Sequence, residues 1–257
     1  RSRSWPSRSV NLKFAAVWGT RGVVSPRTAM ICDDAHVSRI SSFLEPASRA
    51  EGRPEHLAEN AGIAFQGCIV LGKGFILEPE EAQEWIAEDS RNVEVLFPYL
   101  NGEDLNSRPD YSASRWVIDF NARLEAEACC YSLPYVRVRE RVRPGRINNN
   151  RKVYRDYWWQ HGEKRPAMRK AIANLDEVLV IALVSKTVMP VRVPTGQVFS
   201  HALGVFATDS YAQQAILSSS VHQCWAITYG SGMRNDPRYT PSDVFETFPR
   251  PEPTAEL

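Results

Sequence analysis

The sequence predicts a mixed α/β fold of the α+β class, with strands at both ends of a main lobe, a helical middle, and a small C-terminal part of strand plus helix. Three observations carry this. Short apolar runs rich in Val, Ile and Phe lie towards both ends. Segments that open on proline or acids and repeat apolar residues at helical spacing crowd the middle. The longest clean apolar run, "VLVIALV" at residues 178–184, is too short to span a bilayer and suits a buried strand. With 257 residues, 43% apolar and 24% charged, the chain is long and apolar enough to bury a sizeable core. No internal repeat or low-complexity tract divides it.

In chain order, "SVNLKFAAVWGTRG" alternates as an early strand ending at Gly19 or Gly22, and "DDAHVSRISSFL" suits a strand or a short helix. "RAEGRPEHLAENAG" is loop-like around Glu51, Gly52 and Pro54. "IAFQGCIVLGKGFIL" predicts two β segments around Gly72 and Gly74. In "EPEEAQEWIAEDS", Pro79 suits a first turn, acids crowd the N-terminal end, and Ala82, Trp85 and Ile86 share a face, so a helix is expected. "VEVLFPYLNGEDLNSRP" reads as a strand and a turn-rich loop, and "RWVIDF" as another strand. "ARLEAEACC" is helical, while "PYVRVRERV" fits helix or strand before the Pro144–Gly145 break. "NNRKVYRDYWWQHG" predicts a helix stopping near Gly162, and "RPAMRKAIANL" one starting at Pro166. Strands follow in "VLVIALVSK", "VMPVRVP" and "VFSHALGVFAT". "SYAQQAILSSSVHQCWAITYG" predicts one helix with Ile216, Val221 and Trp225 as apolar positions, and the proline-rich tail "TPSDVFETFPRPEP" is expected to wrap the surface.

A formal charge of +1 hides a strong asymmetry. Residues 78–127 hold thirteen acids against four bases, a balance of −9, and residues 137–170 hold twelve bases against three acids, a balance of +9. Arginine outnumbers lysine 25 to 6, and its planar fork suits phosphates and guanine edges. The basic block also carries three asparagines and two adjacent tryptophans, the composition of a nucleic-acid surface. The competing reading is that the two blocks neutralise each other, within the fold or with a protein partner.

Several chemistries are excluded by pattern. A nuclease of the acid-x-Lys type needs a carboxylate two positions before a lysine, but Asn11, Leu71, Asn150, Gly162, Met168 and Val184 stand there. No G-x-x-x-x-G-K-[ST] phosphate loop occurs, and "GKG" at residues 72–74 reads as a tight turn. No Pro-Pro exists for an Asp/Asn-Pro-Pro-aromatic methyltransferase motif, and no glycine-rich donor loop follows a strand. His222 with Cys224, and Cys32 with His36, lack companions at metal-finger spacing. "LSSSVHQCW" has Ser and His but no nucleophile elbow. No catalytic or metal-binding residue is assigned. Five cysteines, an odd number with Cys129 and Cys130 adjacent, predict reduced thiols and a cytoplasmic location. The chain opens at Arg1 without Met, and no signal peptide follows, so an excised fragment without membrane attachment is expected.

Eight segments then stand in a telling order: "WPSRSVNLKFAAVWGTRG", "LAENAGIAFQGCIVLGKGFILEPEEA", "VLFPYLNGEDLNSRP", "RWVIDFN", "RDYWWQHGEKRPAMRKAI", "VSK", "SSVHQCWA" and "RNDPRYTPSDVFETFPRP". Together, from Trp5 to Pro251, they resemble the C-terminal target recognition region of MmeI-like bifunctional restriction–modification proteins (type IIG/IIL) and of related class I adenine-specific DNA methyltransferases. The resemblance implies a module that reads an asymmetric site in double-stranded DNA and presents an adenine to an upstream methyltransferase domain of the same chain. It implies no cofactor within the fragment. In the parent protein it implies S-adenosylmethionine, and Mg where an endonuclease is present.

The expected organisation is a recognition domain over residues 1–207, its basic helical segment at about 133–175, and a C-terminal appendage over 208–257. By the family likeness at "VSK", Lys186, Thr187 and Arg192 are candidates for base-edge contacts. Arg143, Arg146, Arg151, Lys152 and Arg155 are candidates for phosphates, with Asn148, Asn149 and Asn150 as possible helpers. The alternative function is a non-catalytic protein-interaction domain with paired acidic and basic faces.

Overall fold

A computed structural model describes residues 53–233 and 236–251 continuously, and within residues 3–40 only 3–4, 13–14, 16–19, 21–22, 25, 28–38 and 40. The chain divides into two units, Arg1–Arg53 and Pro54–Leu257. In the first, β1 (Arg3–Ser4) pairs antiparallel with β2 (Lys13–Phe14), and β3 (Met30–Cys32) with β4 (Ala35–Val37). Asp33 and Asp34 turn the second hairpin at φ of 50° and 67°, the left-handed pair that a two-residue turn needs to match strand twist. Of the strand expected over residues 9–22, only β2 is strand among the described residues; residues 16–19, 21 and 22 are irregular, so the strand does not run to Gly19 or Gly22. Of the segment 33–44, β4 is a strand, and 41–44 lie outside the described residues.

The second unit contains ten strands and ten α-helices among its described residues, besides three short 3-10 helices. They run β5 (Ala64–Gln66), β6 (Ile76–Leu77), α1 (Pro79–Glu88), β7 (Leu96–Leu100), α2 (Gly102–Ser107), β8 (Arg115–Ile118), α3 (Glu125–Ala128), α4 (Ser132–Arg141), α5 (Arg143–Arg146), α6 (Lys152–Asp156) and α7 (Pro166–Ile172). Then follow β9 (Glu177–Ala182), β10 (Val191–Pro194), β11 (Val198–Phe199), β12 (Leu203–Phe206), α8 (Tyr211–Leu217), α9 (Ser220–Tyr229), β13 (Ser231–Met233), β14 (Asp236–Arg238) and α10 (Pro241–Val244). This is the mixed helix-and-sheet class that the sequence predicts.

Two four-stranded sheets organise the unit. One has the order β10-β9-β12-β5, antiparallel throughout. The other has the order β11-β7-β8-β6, parallel only between β11 and β7. The chain joins them at Gly67 and Cys68, just past β5. The Gly67 N–H donates to Leu203 O of the first sheet and the Cys68 N–H to Phe199 O of the second. Residue 67 must lie against another backbone, because a Cβ there would stand 2.1 Å from Ser200 O. Glycine is required for that approach, not for its dihedral angles.

Strand β9 explains the uniform apolar run. Val178, Val180 and Ala182 face the larger core, with β7, β8, α4 and α7, whereas Leu179, Ile181 and Leu183 face a second core with Leu217, Ala226, Val244 and Phe245. A strand buried on both faces has no polar positions to alternate with. Each such aliphatic side chain stabilises the fold by roughly 1.5–3 kcal/mol on burial.

Three expectations are corrected. "NGEDLNS" is the helix α2 rather than a loop: Asn101 Oδ1 accepts from the Glu103 and Asp104 N–H groups, and Asp104 Oδ2 accepts from the Asn101 N–H. That reciprocal cap nucleates a short helix from turn-forming residues. Residues 211–229 form two helices instead of one. Ser219 caps α9 by accepting from the His222 N–H, which breaks the run and leaves Val221 exposed. The tail does not merely wrap the surface, since Val244, Phe245 and Phe248 are buried and Asn60 Nδ2 donates to the carbonyls of Phe245 and Phe248.

Gly67→Ala should lower stability by about 2–4 kcal/mol, because neither backbone at the sheet junction can retreat. Gly145→Ala, where nothing lies within 4 Å of the added Cβ, should be neutral or slightly stabilising. Urea unfolding of both variants checks this, and equal midpoints would refute the junction argument.

Candidate nucleic-acid interface

The basic stretch folds as three successive helices, α4, α5 and α6. In α4, Pro134 and Val138 turn inward while Arg139 and Arg141 are exposed. Arg143, Arg151, Lys152 and Arg155 are exposed on or beside α5 and α6. None of these six cations is ion-paired with a carboxylate among the described residues. Their contacts are local. The Arg143 guanidinium lies 5.3 Å from the Trp158 ring. Arg151 Nη1 donates to the Tyr154 hydroxyl at 2.9 Å, and Arg155 Nη1 to Asn149 O at 2.5 Å. Asn148 and Asn150 are exposed, and Asn149 accepts from the Arg151 N–H. Surface arginines held only by neutral groups keep their charge available to an anionic partner.

Arg146 corrects the expectation of a phosphate contact. It is 3% exposed and donates to four carbonyls, those of Val70, Leu71, Trp158 and Gln160. Its guanidinium also lies 5.2 Å from the Phe75 ring. Burial pushes its pKa down to about 10, which still leaves it charged at neutral pH. A cation that fills four carbonyls inside the fold has no donors left for DNA. Two other arginines of the block also turn inward. Arg137 pairs with Glu81 and donates to Gly74 O and Ile76 O. Arg169 Nη2 meets Asp119 Oδ2 at 2.5 Å.

Asp119 is 1% exposed and anchors the ground beneath this surface. Burial pushes its carboxyl up, but His161, Arg169 and the Asn121 N–H outweigh that and hold it below the usual carboxylate range. His161, fully buried, donates at Nε2 to Ile118 O at 2.8 Å, and its Nδ1 lies 3.7 Å from Asp119 Oδ1 without a hydrogen bond. Burial drives the His161 pKa down, with Asp119 opposing. Trp158 and Trp159 are both core residues, 6% and 5% exposed, with rings 5.8 Å apart. Tyrosine 157 ends α6 at φ −118° and ψ 49°, so the predicted helix stops short of Gly162 and turns both indoles inward.

The base-contact candidates separate. Lys186 and Thr187 are exposed on the turn between β9 and β10. That turn is pinned by Asn106, whose Nδ2 donates to Val184 O and whose Oδ1 accepts from the Ser185 hydroxyl. Arg192 is instead held within the fold. Its forks donate to Asp209 O and Gln214 Oε1, Glu177 lies 3.5 Å away, and the Tyr211 ring lies 4.1 Å beneath it. In this arrangement both Nη groups of Arg192 are engaged, by Asp209 before α8, Gln214 on α8 and Glu177 on β9, while its buried Nε has no partner.

A cleft of about 1140 Å³ opens beside the Lys186 turn, along the seam of the two sheets. Gln66, Asn106, Arg108, Arg115, His201 and Arg238 are among its lining residues. Sequence reading missed these groups. Arg115 and Arg238 stand singly in "SRWV" and "DPRYT", and no local pattern signals that they converge.

A family model describing the target recognition domain of MmeI matches residues 51–252. No curated protein matches the chain. Among solved structures, the chain is similar to the type IIL restriction–modification enzyme MmeI in complex with DNA, with a TM-score of 0.66 and 17% identity over 86% of this chain. It spans 29% of that enzyme's chain. At this identity the likeness is one of fold.

Arg146→Ala should destabilise the fold by about 3–5 kcal/mol, since four buried carbonyls lose their donor, and lysine should not rescue it because an ammonium cannot reproduce the fork. Arg143→Ala should stay within about 0.5 kcal/mol of the parent chain in the same urea titration. Stability should also depend on acid. The folded pKa values of His161 and His222 lie below 6.5, and that of Asp119 below 3.8. The unfolded chain therefore binds protons that the folded chain refuses, and stability present above pH 6.5 is lost as pH falls, through the histidines first and Asp119 last. A urea midpoint constant from pH 7 to pH 4 would contradict this.

Proposed function

The chain belongs to the family of MmeI target recognition domains, and from that premise we propose that it reads double-stranded DNA for a longer restriction–modification protein. The observation that supports this most directly is the set of six exposed cations on or beside α4 to α6 without carboxylate partners among the described residues. Arg143, Arg151, Lys152 and Arg155 are assigned to phosphates, joined by Arg139 and Arg141. Phosphate contacts fix register and orientation without carrying sequence information. Lys186 and Thr187, exposed on a turn that Asn106 anchors, are assigned to base edges.

The chemistry belongs, in this reading, to domains upstream in the same protein. An adenine-N6 methyltransferase would supply S-adenosylmethionine binding and methyl transfer, and an endonuclease, where present, would use Mg. Residues 1–207 are then the recognition part and 208–257 its C-terminal appendage, although the appendage shares the second core through Leu217, Ala226 and Phe245. No described helix is long and apolar enough to cross a membrane. A cytoplasmic location suits Cys129 and Cys130, adjacent thiols that are both exposed.

The paired-face alternative is disfavoured by the ion pairs themselves. Among the described residues, only Arg137 with Glu81 and Arg169 with Asp119 link the basic block of 137–170 to the acidic block of 78–127. The other exposed cations of α4 to α6 remain unclaimed by that block.

Binding to a random-sequence DNA duplex, titrated with salt, tests the proposal. Affinity should fall steeply as salt rises, by a log–log slope of about −0.9 per phosphate neutralised. Arg143→Ala should weaken binding to all sequences alike and reduce that slope by about one. Absence of binding at low salt would refute the function.

A further inference from the structure

The arginines of this chain divide by what holds their forks. Arg91, Arg137, Arg169 and Arg192 face carboxylates. Arg146, Arg155 and Arg165 donate to carbonyls. Arg250 donates to Asn60, Gln213 and Glu59. Arg115 and Arg238, like Arg139 and Arg141 on α4, belong to none of these groups. Arg115 and Arg238 are exposed, and no side-chain hydrogen bond, ion pair or ring contact engages either guanidinium among the described residues. Yet these two line the same cleft.

Their positions are set by backbone, not by side-chain contacts. Arg115 opens β8 and sits opposite Tyr99 of β7 in the antiparallel register. Arg238 ends β14 and forms a β-bridge with Val184, where β9 runs into the Lys186 turn. The Tyr239 N–H donates to Leu183 O, which fixes that end of β14 against the same strand. The two forks are thus carried on paired backbone while their tips stay uncommitted. That is the arrangement a recognition residue needs: a rigid base and an unsatisfied, planar set of donors.

The rest of the lining mixes neutral polar groups with Arg108 and the carboxylates of Glu78, Glu103 and Asp104. Gln66, Asn106, Ser107, Ser114 and His201 add donors and acceptors along the seam. Gln66 Nε2 donates to His201 O, which stiffens the corner between β11 and β12. A cleft of about 1140 Å³ with two free arginines carries charged donors that an apolar small molecule would leave unpaired. It is suited to the edges of bases, where arginine donates twice to guanine O6 and N7.

We infer that this cleft is where the chain reads its target, and that Arg115 and Arg238 are specificity-determining residues that each recognise a guanine edge in the bound duplex. The inference rests on the DNA-reading function proposed above. It moves the weight of base discrimination away from Arg192, whose fork is occupied, and beside Lys186 and Thr187, which stand at the rim through Asn106. The exposed cations of α4 to α6 hold the backbone, and the seam cleft reads.

The test is selection of duplexes with a randomised core by the intact chain, comparing it with Arg115→Lys, Arg238→Lys, Arg115→Ala, Arg238→Ala and Arg143→Ala. The original chain should enrich a motif containing guanine. Each substitution at 115 or 238 should erase preference at one guanine position, by roughly ten- to a hundred-fold in discrimination, while binding to the unselected pool changes much less. The lysine variants keep the charge and lose the paired fork, so the same loss in them separates base reading from general attraction. Arg143→Ala should weaken pool binding and leave the motif intact. Unfolding midpoints should be unchanged at both exposed positions. An unaltered motif in all four variants at 115 and 238 would overturn the inference while leaving the DNA-reading function standing. Failure of the original chain to bind any duplex at low salt would overturn both.

Discussion

The clamp that Arg146 makes on four carbonyls is the constraint on which the basic half of the molecule depends. One guanidinium ties the segment after β5, at Val70 and Leu71, to the segment after α6, at Trp158 and Gln160. Among the described residues those segments share a single backbone bridge, Ile69 with Glu163, and a neutral side chain could not satisfy so many acceptors at once. With the clamp in place, Trp158 and Trp159 seat in the core and α5 and α6 are held over them. The positive charges on those helices then have a fixed platform, at the cost of one cation buried beneath them.

Below that platform, charge is managed by compensation rather than exclusion. Asp119 lies just past β8, almost without solvent, where Arg169 on α7 and the Asn121 N–H donate to it. A buried carboxylate is tolerable only with such partners, and removing one would leave the others uncompensated. The same arrangement binds α7 to the second sheet, while Cys68 at the sheet junction donates to Lys164 O and lies 3.6 Å from Arg169 Nη2. The junction at Gly67, the buried carboxylate and the helical platform are therefore parts of one packed block, and β9, buried on both faces, joins that block to the C-terminal core.

Such a block leaves function to groups that the fold does not consume. On α4 to α6 these are cations supported by aromatic rings and backbone carbonyls, able to follow a phosphate backbone. At the seam of the sheets they are two arginine forks in a cleft lined by neutral polar groups and by carboxylates. The division corresponds to the two demands of sequence-specific binding, in which long-range attraction brings the duplex in and short-range donors and acceptors discriminate among sites. The paired-face alternative fails on the same count, since too few of the acids reach the bases.

By itself the sequence determined the class of the fold, most of its strands, the helices α1 and α7 from their proline starts, and the kinship of the chain, because propensity, capping and ordered motifs are local or linear properties. It also located the charge. It did not separate Arg143 from Arg146, three positions apart in one basic run, because which of them faces inward depends on where the carbonyls of residues 70–71 and 158–160 converge. It hid α2, whose turn-forming residues become a helix only through the Asn101–Asp104 cap, and it suggested Arg192 as a reader, where Tyr211, Gln214 and Glu177 hold it. Only the tertiary structure brought Arg115 and Arg238, 123 positions apart in sequence, into one cleft, for the physical reason that strand pairing sets distances which sequence separation does not encode.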